Sequence, residues 1–188
     1  MSHTYPAGRG RLPAVILTNP KHGHNVAGAL RACSSFGVRQ LWVTGQRVTE
    51  ELAARRRLPR EERMKAYADT ELCWCDYPFE AFASGTRIVA VEVMPSATPL
   101  TWFEHPQDAV YVFGPEDGGL GQVSKRHCTD FVVIPSLHCL NLACAVNVVL
   151  ADRVMKAERA GAEPVRLDEH RGVITDLGWL DRAGTGGR

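Results

Sequence analysis

Four side chains spread along most of the chain could do chemistry: Asn25, Arg31, Glu116 and Asn141. Asn25 closes the polar loop Asn19-Pro20-Lys21-His22-Gly23-His24, which leads into a helix-like run. Arg31 lies on that run among Val26, Leu30 and Cys33, apolar company in which a guanidinium normally needs an anion or carboxylate partner. Glu116 belongs to Phe113-Gly114-Pro115-Glu116-Asp117-Gly118-Gly119-Leu120-Gly121, a strand running into a glycine-rich turn. Glycines there let backbone approach a ligand closely or take positive φ. No Gly-Lys-Ser/Thr follows, and Gly119-Leu120-Gly121 lacks the third glycine of a dinucleotide fingerprint, so neither phosphate motif is present. Asn141 follows Ile134-Pro135-Ser136-Leu137-His138-Cys139-Leu140 at a helix start. Asn25 and Asn141 each have a plain alternative as helix N-caps.

The elements that must position these groups follow from hydrophobic period. Apolar runs at 13–17, 40–44, 86–91, 110–113 and 131–134 read as short strands, each ending in Gly, Pro or polar residues. Val26, Ala29, Leu30, Cys33 and Phe36 recur at helical spacing, and a long helix from about Asn141 to Ala160 carries Leu142, Ala145, Val146, Val149 and Leu150, with Gly161 and Pro164 as stop signals. Several strands are nearly all apolar, as in a mostly parallel sheet covered on both faces by helices, so the class is α/β. In such sheets ligands bind outside the carboxyl ends of the strands, where the loop before Asn25 lies.

Length and composition set the frame. With 188 residues, 45% of them hydrophobic, the chain reads as one domain over 13–160, with an N-terminal segment 1–12 and a tail 161–188. No stretch approaches a membrane span and the start lacks an apolar signal region, so a cytoplasmic location is expected. The six cysteines lie mostly in apolar segments and are read as reduced thiols; the gap in Cys73-Trp74-Cys75 does not match zinc spacings, and no metal is expected. A net charge of +1 excludes a generally basic binder but not a local patch. That patch is Arg55, Arg56, Arg57, Arg60, Arg63 and Lys65, readable as a solvated helix with internal salt bridges or as a nucleic-acid contact.

In order and spacing, three motifs together resemble the SpoU (TrmH) family of the SPOUT class of RNA methyltransferases. They are Asn25 with Arg31 and Phe36-Gly37-Val38; Phe113-Gly114-Pro115-Glu116 with Gly119-Leu120; and Ile134-Pro135 with Leu140-Asn141-Leu142-Ala143. The resemblance covers 13–156, most of the chain. It implies a C-terminal trefoil knot in the α/β domain, a homodimer binding RNA near its interface, and S-adenosylmethionine as cofactor, with S-adenosylhomocysteine as product. It also implies methylation of a ribose 2′-hydroxyl in tRNA or rRNA. The alternative is a knotted protein that binds RNA or S-adenosylmethionine with little or no transfer.

By the same resemblance Val91, Glu92, Gly114, Ile134, Cys139, Leu140 and Leu142 would hold the cofactor. Arg31 would act at the ribose, with Asn25, Glu116 and Asn141 orienting it. A guanidinium gives up its proton only at large cost, so Arg31 is expected to stabilise the developing alkoxide or clamp a phosphate, not to act as a base. Many relatives carry Ser where this chain has Cys139, a larger and weaker hydrogen-bond donor. Once RNA is the expected substrate, the patch at Arg55, Arg56, Arg57, Arg60 and Arg63 becomes the expected contact surface.

Overall fold

The computed structural model describes residues 10–54 and 70–162. Seven strands form one sheet in the order β3-β2-β1-β6-β4-β7-β5, and every pairing is parallel. They are β1 Ala14–Leu17, β2 Gln40–Val43, β3 Glu71–Trp74, β4 Arg87–Val91, β5 Thr98–Pro99, β6 Ala109–Phe113 and β7 Asp130–Val133. The helices are α1 Gly23–Ser35, α2 Arg47–Ala54, α3 Gln122–Lys125 and α4 Leu142–Arg159, with single 3-10 turns at Pro78–Ala81 and Leu100–Trp102.

The central strands are buried on both faces, which is why their sequences do not alternate. Val15, Leu17, Leu41, Val43, Val89, Tyr111 and Phe113 pack on one face with Val26, Ala29, Leu30 and Cys33 of α1 and Val146, Val149 and Leu150 of α4. Ala14, Ile16, Trp42, Ala90, Val110 and Val112 face the other way, against Phe82, Leu120 and Cys73. α1 and α4 press closest where Gly28 meets Ala143: a Cβ on Gly28 would lie 2.8 Å from the Ala143 Cβ. Burial of Cys73 and Cys75 in this layer fits the structural reading of those thiols.

The five expected strands are present within a residue or so of their expected bounds, and the expected α/β class holds. Period did not disclose β3 and β5 at the two edges of the sheet, or α2. α1 begins two residues before Asn25, so Asn25 is not its N-cap. His22 occupies that position without a side-chain cap; the Glu51 carboxylate of α2 serves instead, accepting from the Gly23 N–H at 2.6 Å. The basic patch from Arg55 to Lys65 lies outside the described residues. Among the described residues no helix is long and apolar enough to cross a membrane.

Candidate active site

Parallel strands deliver β1, β4, β6 and β7 to the same end of the sheet, and the loops leaving those ends bring the three sequence motifs together. Asn25, in the first turn of α1 and only 2% exposed, is the hub. Its Nδ2 donates to Glu116 Oε1 at 2.5 Å, while its Oδ1 accepts from Asn141 Nδ2 at 2.9 Å. An amide can donate and accept at once, so it joins an acceptor-only carboxylate to a second amide; neither Asp nor Leu of similar size could do both.

Asn141 is the N-cap of α4 and a partner of Asn25 at once. Its Oδ1 caps α4, accepting from Ala143 N at 2.9 Å and Cys144 N at 3.3 Å, and its Nδ2 is left for Asn25. The other oxygen of Glu116 accepts from the Lys21 backbone N–H at 2.8 Å, which ties the loop after β1 to the turn after β6. Partial burial pushes the Glu116 carboxyl up, but the donors from Lys21 and Asn25 outweigh it and leave the group below the usual carboxylate range. Beside it, Arg47 of α2 forks onto Asp117 at 2.9 and 2.7 Å and holds that carboxyl down at about 2.

Next to this network is a cavity of about 210 Å³, walled by the ends of β4, β6 and β7 and the start of α4. Val91, Phe113, Ile134, Leu140 and Leu142 supply apolar walls, and Glu92, Gly114, Glu116 and Cys139 also line it. All seven residues expected to hold the cofactor therefore meet in one place. Glu92 shapes the cavity through its backbone contacts, accepting from Val93 N at 2.9 Å and Leu120 N at 2.5 Å, and so pins the glycine turn to the end of β4. Gly114 is required by space: a Cβ there would sit 2.6 Å from the Gly119 carbonyl carbon and 2.7 Å from Leu120 N. Aliphatic walls around closely packed backbone suit a flat, apolar-faced heterocycle recognised by main-chain polar groups. The site thus fits the adenosyl group of S-adenosylmethionine.

Arg31 departs from its expected surroundings. It is exposed on α1 and does not line the cavity, while Asn25 on the same helix faces inward. Six residues turn an α-helix by about 240° beyond a full circle, so spacing alone places Arg31 on a different face from Asn25. Its neighbours in sequence are apolar, but its neighbours in space are not the core. Cys139 is exposed at the cavity's rim. Sequence reasoning missed Lys21, Glu51 and Arg47 as supports; Lys21 acts through its backbone, which leaves no side-chain signature.

Known proteins resemble this chain in sequence and in fold. Residues 13–151 match the SpoU rRNA Methylase family. A curated relative, the tRNA (cytidine-2′-O-)-methyltransferase TrmJ of Methanocaldococcus jannaschii, is 28% identical over 158 residues, 78% of this chain and 69% of that protein. A solved structure concerned with the 2-OH methylation of C/U34 on tRNA is 21% identical with a TM-score of 0.63, covering 78% of this chain and 96% of the other. The SpoU methyltransferase AviRb of Streptomyces viridochromogenes, solved with the cofactor AdoMet, is 21% identical with a TM-score of 0.59 over 80% of this chain. The chain spans 58% of AviRb, less than two thirds of its length.

Proposed function

Since the chain belongs to the SpoU rRNA methylase family, we propose that it transfers a methyl group from S-adenosylmethionine to a ribose 2′-hydroxyl of RNA. The observation that carries this reading is the Asn25 amide bridging Glu116 and Asn141 beside an apolar, backbone-lined cavity. When bound, the cofactor supplies an electrophilic methyl group.

The chain's own residues supply position and charge. Gly114, Ile134, Leu140 and Leu142 would hold the adenosyl group and keep water from it. Asn25 and Asn141 fix Glu116, whose depressed carboxyl suits a standing negative charge better than proton acceptance. We assign Arg31 to the RNA side, where its fork stabilises the oxygen as the hydroxyl proton passes to solvent, or holds the adjacent phosphate. Its exposure on α1 supports that assignment.

We take tRNA as the first substrate to try, because the TrmJ relative is a tRNA cytidine-2′-O-methyltransferase. A homodimer is part of the proposal, supported by an exposed stripe on α4 that carries Cys144, Val148 and Met155; sedimentation equilibrium reads it. The remaining parts are the knot, the RNA role of the basic patch and a cytoplasmic setting, supported respectively by the family, by charge, and by the lack of an apolar span in the sequence.

The test is incubation with methyl-labelled S-adenosylmethionine and total RNA, followed by mapping of the labelled nucleotide. Label on a ribose is the expected result. Tight cofactor binding with no transfer to any RNA would sink the enzyme reading in favour of a binding protein, a possibility that Cys139 in place of Ser keeps concrete.

A further inference from the structure

The segment from Lys21 to Asn25 is fastened beside the candidate site at three points. Glu116, which lines the cavity, accepts from the Lys21 N–H with Oε2 and from the Asn25 amide with Oε1, so one carboxylate holds both ends. Between them the Gly23 N–H donates to Glu51 Oε2 at 2.6 Å. Backbone held in this way fixes where the side chains between its ends stand, and the two side chains there, on either side of Gly23, are both histidines.

Their rings are stacked, with centroids 5.2 Å apart and planes only 11° from parallel. His22 is the inner ring, partly buried, with its Nδ1 3.7 Å from Glu51 Oε1. It stands at the N-cap of α1 without capping it, a position where Ser, Asp or Asn is the usual choice. His24 is the outer ring and is exposed, so one of its faces rests on His22 and the other is open to solvent. His24 also shares a helix face with Arg31. Seven residues bring an α-helix to within about 20° of two full circles and advance it by about 10 Å. Both side chains are exposed, and between them Gly28 meets Ala143 in the first turn of α4, the helix whose start walls the cavity.

Unpaired RNA is held by splayed bases stacked on aromatic rings, histidine among them, and by cations on its phosphates. We infer that His24, backed by His22, is a stacking platform for a nucleobase flanking the reacting ribose, with Arg31 on the same helix face serving the sugar or its phosphate. The inference deepens the methyltransferase reading and rests on it. His24 is thereby a positioning residue for the RNA. Every base has a π face, so the platform fixes where the strand lies and leaves its sequence to other contacts.

The experiment compares His24→Ala, His24→Phe and His24→Trp in the full chain, with two readouts. The first is the fluorescence of a single-stranded uridine hexamer carrying one 2-aminopurine, which is quenched on stacking, with the cofactor site filled by S-adenosylhomocysteine. The second is kcat/KM for methyl transfer to tRNA. In His24→Ala quenching should be lost and kcat/KM should fall about tenfold, while His24→Phe and His24→Trp keep both near the parent values. Affinity for S-adenosylhomocysteine should be the same in all three. Trp102→Ala, which removes an exposed ring beside the C-terminal end of α4, should change neither readout. Parental quenching or parental kcat/KM in His24→Ala overturns the platform. So does a His24→Phe variant as poor as His24→Ala, since the imidazole would then act through its nitrogens, and so does a loss of S-adenosylhomocysteine affinity, since the ring would then serve the cofactor. Quenching that follows the expected order, with no transfer to any RNA, would instead count against the methyltransferase reading and leave the platform standing.

Discussion

Asn25 Oδ1 accepts a hydrogen bond from Asn141 Nδ2 at 2.9 Å, joining the first turn of one helix to the cap of another across 116 positions of sequence. Because the same amide donates to Glu116, three motifs share one buried side chain. Asn25→Ala leaves the amide of Asn141 and a charged Glu116 oxygen short of a partner. Stability should fall by about 2 to 4 kcal/mol and methyl transfer by about a hundredfold. Asn25→Asp should be worse, since it sets a second carboxylate against Glu116. Thermal denaturation with single-turnover transfer checks both; a variant with wild-type rate would remove Asn25 from the site.

Gly114→Ala forces a methyl against the backbone at Gly119 and Leu120, atoms that cannot swing aside as a flexible side chain would. Affinity for S-adenosylhomocysteine is expected to drop by at least about tenfold, with a loss of stability of about 1 to 3 kcal/mol. A Cβ at Gly118 meets nothing within 4 Å, so Gly118→Ala is the matched control. Calorimetry on the two variants decides whether the close approach matters.

Arg31→Lys keeps the charge and loses the fork. As Arg31 is exposed, stability should stay within about 0.5 kcal/mol of the parent while transfer falls by at least about tenfold. Near-full activity with intact cofactor affinity would defeat the fork argument.

Cys139→Ser replaces the thiol at the rim of the cavity by a smaller hydroxyl that is a stronger hydrogen-bond donor. Transfer is expected to stay equal or rise, as read by initial rates at saturating RNA. Abolished transfer would mean the thiol has a role of its own.

Acid sensitivity should concentrate in the turn after β6. Arg47 holds Asp117 at about 2, below its ordinary value of 3.8, and Glu116 is also held low. A carboxyl depressed on folding contributes its stability above its unfolded value, and that contribution is lost as pH falls through the folded value. Stability should therefore be level from neutrality to about pH 5 and decline below about pH 4, with Asp117 among the last groups to protonate. In Arg47→Met the Asp117 titration, followed by carboxyl NMR shifts, should move up towards 3.8. No movement would show that the ion pair is not formed in solution.

Much of the fold was legible because two-sided burial leaves nearly continuous apolar runs, and β1, β2, β4, β6 and β7 all carry them. The edge strands were not: β3 and β5 carry exposed residues, and Thr98–Pro99 is too short to show a period. The residues of the candidate site could also be named from the sequence, since the motifs around Asn25, Glu116 and Asn141 could be matched in order, and the residues expected to hold the cofactor line one cavity.

Tertiary structure alone decided which of those residues meet and which face solvent. Asn25 could pass for a helix cap until α1 was seen to start before it and its amide to turn inward. Arg31 could pass for a buried cation until the turn of the helix carried it to the surface. The stacked rings of His22 and His24 had no signature at all, because their segment is held by two carboxylates that reach it only in the fold. Linear sequence carries residue type and period, which suffice for strands, helices and motif identity. Which amide faces which carboxylate, and which rings stack, depends on contacts between distant segments, and only packing sets those.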